Sequence, residues 1–454
     1  MLAFAGMGAS FMQTILIPIQ AELPELLDAS RPDTAWVITA TLLASAICTP
    51  IAGKLGDMYG KRRIAMALLT LLVIGSVVCA LTSEVIPMIV GRALQGAGMG
   101  VIPLGISILR DVLSPRRLAP AVALVSATLG VGGALGLPIS AFVTERFDWH
   151  ALFWVAAGIG VLALILFITV IPASTSRTGG RLDFLGAIGL AIGLTGALLA
   201  ISKGNDWGWL APATLISGAV GVVTLTLWGF HEARHRNPLV NLKTSTHAPV
   251  LMTNLASIAM GFALFCASIV FPQLLQMPAQ SGGLGLSLQL TSFLLMPSGL
   301  AMLTMSPIAG RMMRRVGPKP LLIAGAVIIA ITYSLAVFMP REAWTIAVAN
   351  TLVGIGIGLG YAAMPTLIMR SVPTTETAAA NGLNTLMRGL GTALAAAIAA
   401  AILADSATAA GLPTALGFQL ALTCGLVAAV VCATLACLIP QRDERATSRD
   451  STPD

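Results

Sequence analysis

The chain has 454 residues, of which 56% are hydrophobic and only 10% charged, with a mean hydropathy of +0.89. A soluble domain carries about 25% charged residues, so the composition excludes an ordinary water-soluble fold and makes the lipid bilayer the main solvent. The formal net charge of +7 does not point to nucleic acid, because the cations sit in short loops between apolar runs.

Crossing the hydrocarbon core takes about 17–25 apolar residues. Such runs fall roughly at 2–21, 34–52, 64–83, 86–109, 119–143, 151–171, 184–202, 212–230, 249–272, 289–309, 320–339, 344–369, 381–403 and 415–439. They predict fourteen membrane helices, an all-α polytopic protein, followed by a polar tail at 441–454. The first run begins at Leu2 with no cleavable leader, so a short native tail is expected ahead of it.

The stretch between the second and third runs, Gly53–Arg63, reads GKLGDMYGKRR. One acid, Asp57, stands among Lys54, Lys61, Arg62 and Arg63, and Gly53, Gly56 and Gly60 suit a tight hairpin. With this stretch in the cytoplasm, alternation puts most cations on the same side. Only Arg31, Arg146, Lys203 and Arg341 fall outside, and Arg92 and Arg388 lie within runs. That bias is the positive-inside rule and makes both termini cytoplasmic.

The chain repeats itself. PIAGKLGDMYGKRR from Pro50 is echoed by PIAGRMMRRVGPKP from Pro307, with Gly60 recurring as Gly317. GRALQGAGMG from Gly91 is echoed by ANTLVGIGIG from Ala349, where Gly96, Gly98 and Gly100 recur as Gly354, Gly356 and Gly358. Residues 1–172 and 248–440 therefore read as two six-helix bundles. Residues 173–247 read as a linker carrying an inserted helix pair. Two similar bundles meeting in a membrane suggest alternating access around a central site.

Taken together these motifs resemble the major facilitator superfamily. GKLGDMYGKRR is similar to its loop motif, GRALQGAGMG to the fourth-helix motif of its proton-driven exporters, and GGALGLP to their fifth-helix motif. Fourteen spans, with KGNDWGW after the seventh, resemble the drug:proton antiporter branch. The resemblance implies a secondary transporter of the plasma (inner) membrane that exports amphipathic small molecules in exchange for protons, works as a monomer and uses no cofactor.

Asp57 would then be a conformational latch, meeting either a helix N-terminus or a cation such as Arg110. An ordinary topogenic loop is the plainer alternative, though the second copy carries Arg314 where the first has Asp57. Arg92 is an intramembrane cation and needs a polar cavity or a partner. The resemblance assigns it to proton coupling with Gln95 nearby, whereas the plainer reading is a tie between helices. Its counterpart in the repeat is Asn350. Gly132 and Gly136, four apart, share a helix face that admits close packing, and Pro138 can bend that helix. In the family, that helix lies between the two halves.

The branch usually carries an acid in the first span, followed by Thr; here Met12 holds that place and Thr14 is retained. Acids at the outer edge that remain for proton coupling are Asp33, Glu145 and Asp148, for each of which a solvated loop acid is the plainer reading. Met12, Gln13, Gln95, Asn254, Gln273, Asn350, Tyr361 and Asn384 are candidates to line the substrate path, or to join helices. The six cysteines all lie in apolar runs without metal-like spacing, and neither these nor the four scattered His suggest a metal site or an enzyme. Alternatives are a carrier of the same fold for one dedicated metabolite or lipid without proton coupling, and a receptor that has lost transport.

Overall fold

Where no water reaches the backbone, apolar segments must satisfy their own amides, and here they do so as α-helices. The structure, a computed structural model, describes residues 1–16, 19, 22–172, 179, 182–235, 237–278, 283–338, 342–407 and 413–440. In order the helices are α1 (Leu2–Thr14), α2 (Leu23–Leu26), α3 (Arg31–Tyr59), α4 (Lys61–Ala80), α5 (Val85–Gly98), α6 (Val101–Val112), α7 (Pro115–Arg146), α8 (Ala151–Val170), α9 (Phe184–Trp207), α10 (Pro212–Arg234), α11 (Leu242–Ser245), α12 (Ala248–Gln276), α13 (Leu288–Val316), α14 (Pro318–Phe338), α15 (Ala343–Ser371), α16 (Thr377–Asp405) and α17 (Ala415–Leu438). The tail at 441–454, with Arg177, Arg181, Arg236 and Arg341, lies outside the described residues.

Among the described residues, twelve helices are long and apolar enough to cross a membrane. In that count α5 and α6 form one span, Val85–Val112, broken locally at Met99–Gly100. The fourteen expected from the apolar runs include two segments outside the twelve: α1, with 13 residues, and α7, with 32. At about 1.5 Å per residue α1 reaches only ~20 Å, short of the ~30 Å hydrocarbon core.

The charged stretch from Gly53 is not the hairpin loop the glycines suggested. Helix α3 continues to Tyr59 and α4 starts at Lys61, so the turn is a single residue, Gly60, at φ 105°. Gly317, between α13 and α14, has φ 82°. Such positive φ favours glycine, because a Cβ would clash with the backbone. Gly53 and Gly56 serve another end, since both are helical and let neighbouring chains approach closely.

Buried apolar side chains separate into two main clusters, one drawn chiefly from α1–α8 and one chiefly from α12–α17. We call these groups of helices the first and second halves. Packing within them repeats. A Cβ on Gly96 would meet the Thr41 carbonyl at 2.3 Å, and one on Gly354 the Ser298 carbonyl at 2.4 Å. Gly98 lies against Leu68 and Leu72, and Gly356 against Gly325 and Ile329. Each pair of partners is related by the same spacing as the sequence repeat. The glycine ladders thus set the same helix approach twice. The inserted pair packs mainly on itself. Its Leu190, Leu194 and Leu198 also join a third cluster with Leu383 and Leu386 of α16.

Candidate functional site

The two halves meet closely at the end of the bundle that carries Gly60. A Cβ on Gly53 would lie 2.5 Å from the Ala378 carbonyl in the first turn of α16. Its repeat partner Gly310 faces the Cα of Pro120 in α7 at the same 2.5 Å. The PIAG glycine of each half therefore presses on an early turn of a helix in the other half.

One turn beyond Gly53, the Asp57 carboxylate accepts the Ala379 amide at 3.0 Å. Ala379 is the third residue of α16, whose first amides have no partner within the helix. Asp57 is thus a cap supplied from the opposite half, placed at the positive end of the helix dipole. It is 5% exposed, and Lys61 stands 3.9 Å from it. Lys61 also donates to Asp111 at 2.7 Å. Arg110 crosses the same boundary, donating to Thr377 Oγ1 at 2.5 Å and to the Val372 carbonyl at 3.4 Å, close enough to Asp57 for charge attraction. The other cations of the stretch do less across the boundary. Arg62 donates to the Ile168 carbonyl of its own half, Arg63 is exposed, and Lys54 borders a small cavity with Asn237, Leu239 and Glu376.

Arg92 is 1% exposed, and its partners are carbonyls and an amide. It donates to Met12 O at 2.8 Å, to Gln95 Oε1 at 2.7 Å and to Val37 O at 3.4 Å. Gln95 passes the chain on to Ser76 at 2.8 Å. Among the described residues no carboxylate lies within 4 Å of the guanidinium. Met12 sits in the last turn of α1, where carbonyls lack helical partners, so Arg92 caps the C-terminus of that short helix. In the second half Asn350 donates to Leu295 O at 3.1 Å. Leu295 and Val37 are separated by the same spacing as Asn350 and Arg92. The shared duty is to bond a neighbouring helix's carbonyl, and the charge adds the reach to α1.

The other candidates are spread out. Asn384 donates to Asn254 Oδ1 at 3.0 Å and to Ser257 Oγ at 2.7 Å, all three buried between α12 and α16. Tyr361 is buried, with the Arg388 guanidinium 4.5 Å over its ring. Gln13 is exposed and donates to Met99 Sδ, and Gln273 is exposed near the far end of α12. Asp33 accepts from the Ser30 hydroxyl at 2.6 Å, while Ser30 caps α3 through the Asp33 amide. Asp148 is exposed and pairs with His150; the His150 amide, ring and charge hold its carboxyl below the usual carboxylate range against slight burial. Glu145 lies outside the residues whose side chains are described. Gly132 and Gly136 face Met7, Ser10 and Thr14 of α1, within the same half, and it is Gly130 of that helix that touches Met302 of the second half. Pro138 lies within a continuous α7.

Sequence reasoning missed Asp111, Thr377 and Glu376. Asp111 was legible as the acid next to Arg110. Glu376 accepts from Asn241 at 2.8 Å and Thr244 at 2.9 Å, tying the connector after α10 to the start of α16. No local pattern signals that contact.

Two pseudo-repeated helical halves, joined where a carboxylate of one caps a helix of the other, make up a multi-pass membrane protein. The Major Facilitator Superfamily profile matches residues 2–251 and 253–453, and the chain belongs to that family. It is 26% identical to the lincomycin resistance protein LmrB of Bacillus subtilis over 409 residues, 88% of this chain and 84% of that protein. With the multidrug resistance protein B homolog of Mycobacterium tuberculosis it shares 28% over 341 residues, 73% of this chain but only 61% of the relative. Among solved structures it is similar to the human organic anion transporter MFSD10, at 16% identity and TM-score 0.68 over 97% of this chain and 98% of the other. A similar match is the proton:xylose symporter XylE, at 15% identity and TM-score 0.65 over 97% and 94%.

Proposed function

We propose that the chain is a secondary active exporter of amphipathic small molecules, drugs among them, built on fourteen membrane segments in the plasma membrane, α1 being a short one whose helix alone does not span the core. Its two six-helix halves rock about a shared central path, and protons flow inward as substrate leaves. Both termini and Gly60 face the cytoplasm, and one chain is the working unit. The observation that carries this reading is the Asp57 cap on α16. It ties the halves at the Gly60 end through a charged side chain, beside the Arg110 bonds to Thr377 and Val372, which suits a contact that must form and release in each cycle. The names of the relatives, resistance proteins of bacteria, support drugs as the substrate class.

Arg92 is the proposed coupling residue, with Asp33, Glu145 and Asp148 as acids at the outer edge. Gln13 and Gln273, both exposed, are the first choice for substrate contact. Met12, Gln95, Asn254, Asn350, Tyr361 and Asn384 join it where helices part.

Uptake of lipophilic dyes and lincomycin into inverted vesicles, with and without an imposed pH gradient, tests the reading. Gradient-driven accumulation is expected, and Arg92→Ala should abolish the gradient dependence while the protein still inserts. Accumulation indifferent to the gradient would end the antiport claim. A second reading, a same-fold carrier of one metabolite or lipid without proton coupling, is favoured by one specific observation. Among the described residues Arg92 has no carboxylate within 4 Å, and Met12 stands where the branch has its acid. Dye uptake absent with or without the gradient, in protein shown to be folded, would select it.

A further inference from the structure

At the Gly60 end of the inserted pair, three side chains converge that no part of the transport reading uses. Asp183 precedes α9, His231 lies in the last turn of α10, and His235 follows four residues on, at the residue that ends the helix. His231 Nε2 is 2.7 Å from Asp183 Oδ2 and His235 Nδ1 is 3.5 Å from the same oxygen. One donor atom from each residue lies within 4.8 Å of the other two. The imidazole rings stack at 5.2 Å.

A second carboxylate stands beside them. Glu232 is 2% exposed, lies near the Leu239 and Val240 amides without a well-formed hydrogen bond to either, and abuts Gly186. Asp183 abuts the same glycine. Two carboxylates side by side in a buried place repel each other unless a cation lies between them. The other oxygen of Asp183 accepts the Gly186 amide at 2.8 Å, which fixes the carboxylate with Oδ2 turned to the imidazoles. A cavity of about 310 Å³ lined by Phe230, His231, Arg234 and His235 gives access from the surface. Among the described residues of that lining, Arg234 is the opposing charge.

We propose that Asp183, His231 and His235 form a binding site for a divalent transition metal of the zinc class, clamping the ends of α9 and α10. Two imidazoles and one carboxylate are a donor set for such ions, with a fourth position left for Glu232 or water. Ligands at about 2.0–2.1 Å in a tetrahedron stand roughly 3.3 Å apart. The 3.5 Å separation already fits, and the 2.7 Å hydrogen bond opens slightly as the metal replaces its proton.

The test uses the full chain purified in detergent, stripped with chelator and titrated with zinc chloride or with cobalt as a visible probe. One ion per chain is expected, with tetrahedral cobalt absorption. His231→Gln and His235→Ala should each weaken binding about a hundredfold, at or beyond the roughly 10–100-fold cost of losing an outer hydrogen-bond partner of a metal ligand. His150→Ala should change nothing. X-ray absorption of the zinc-loaded parent, which needs no variant, should show two imidazoles. Binding that is not stoichiometric, a spectrum without imidazole, or affinity that survives either His substitution overturns the proposal.

Discussion

Gly53 on α16 and Gly310 on α7 are the same contact made twice. In both, the PIAG glycine brings its helix against a helix of the opposite half, with an identical 2.5 Å approach for an added Cβ. The charges that follow differ. Behind Gly53 comes Asp57, buried and bonded to the Ala379 amide at the positive end of α16. Behind Gly310 comes Arg314, which is exposed. A carboxylate at a helix N-terminus contributes about 0.3–1 kcal/mol, up to ~2 when partly buried, while a cation there is mildly unfavourable. Packing at the Gly60 end is therefore symmetric and the electrostatic tie is one-sided. Duplication set the shape, and a single acid made one of the two seams sensitive to charge.

The contrast can be broken at the glycines first. Gly53→Val puts side-chain atoms into the α16 backbone, and overpacking of this kind costs roughly 1–3 kcal/mol. Transport should fall ten- to a hundredfold, and Gly310→Val should do the same because its seam is equally tight. Vesicle flux normalised to inserted protein measures both. If Gly310→Val is harmless, the two seams are not equivalent. Asp57→Asn keeps the shape and removes the charge. A loss of about 1–2 kcal/mol, or five- to thirtyfold in the closed-to-open ratio, is expected from the helix-terminus term, with insertion intact. Wild-type flux would remove Asp57 as a latch. Smallest is Arg314→Ala, expected to change flux less than twofold, since an exposed surface substitution stays within about 0.5 kcal/mol. A larger loss would mean that the second seam also depends on charge.

Much of this was legible before any coordinates. Apolar length gave most helices, and the PIAG and glycine echoes named the residues that later proved to pack alike. What failed was the reason for the glycines. In sequence Gly53, Gly56 and Gly60 read as one tight turn, yet only Gly60 turns. The other two admit neighbours, and a local pattern cannot distinguish a glycine needed for φ from one needed for space. The end of α1 at Thr14 was missed because hydropathy continues past it. Pro18, which has no amide to donate, was the available hint. Asp57 was read as meeting a helix end or Arg110. Both lie at the seam, but the choice depended on where α16 begins, a tertiary fact. The Asp183–His231–His235 cluster went unseen because its acid lies 48 residues from the nearer His, although the His pair at i and i+4 was plain on the page.

The joint at Gly60 has a mechanical result. One residue spans at most about 3.6 Å, so the ends of α3 and α4 cannot separate, slide or wait for one another. Gly317 binds α13 to α14 in the same way. Any tilt that frees Asp57 from α16 must carry α4 along in the same stroke, and with it Lys61 and its Asp111 partner. On the proposed cycle, release at the seam is geared to α4 instead of being absorbed by slack in a loop.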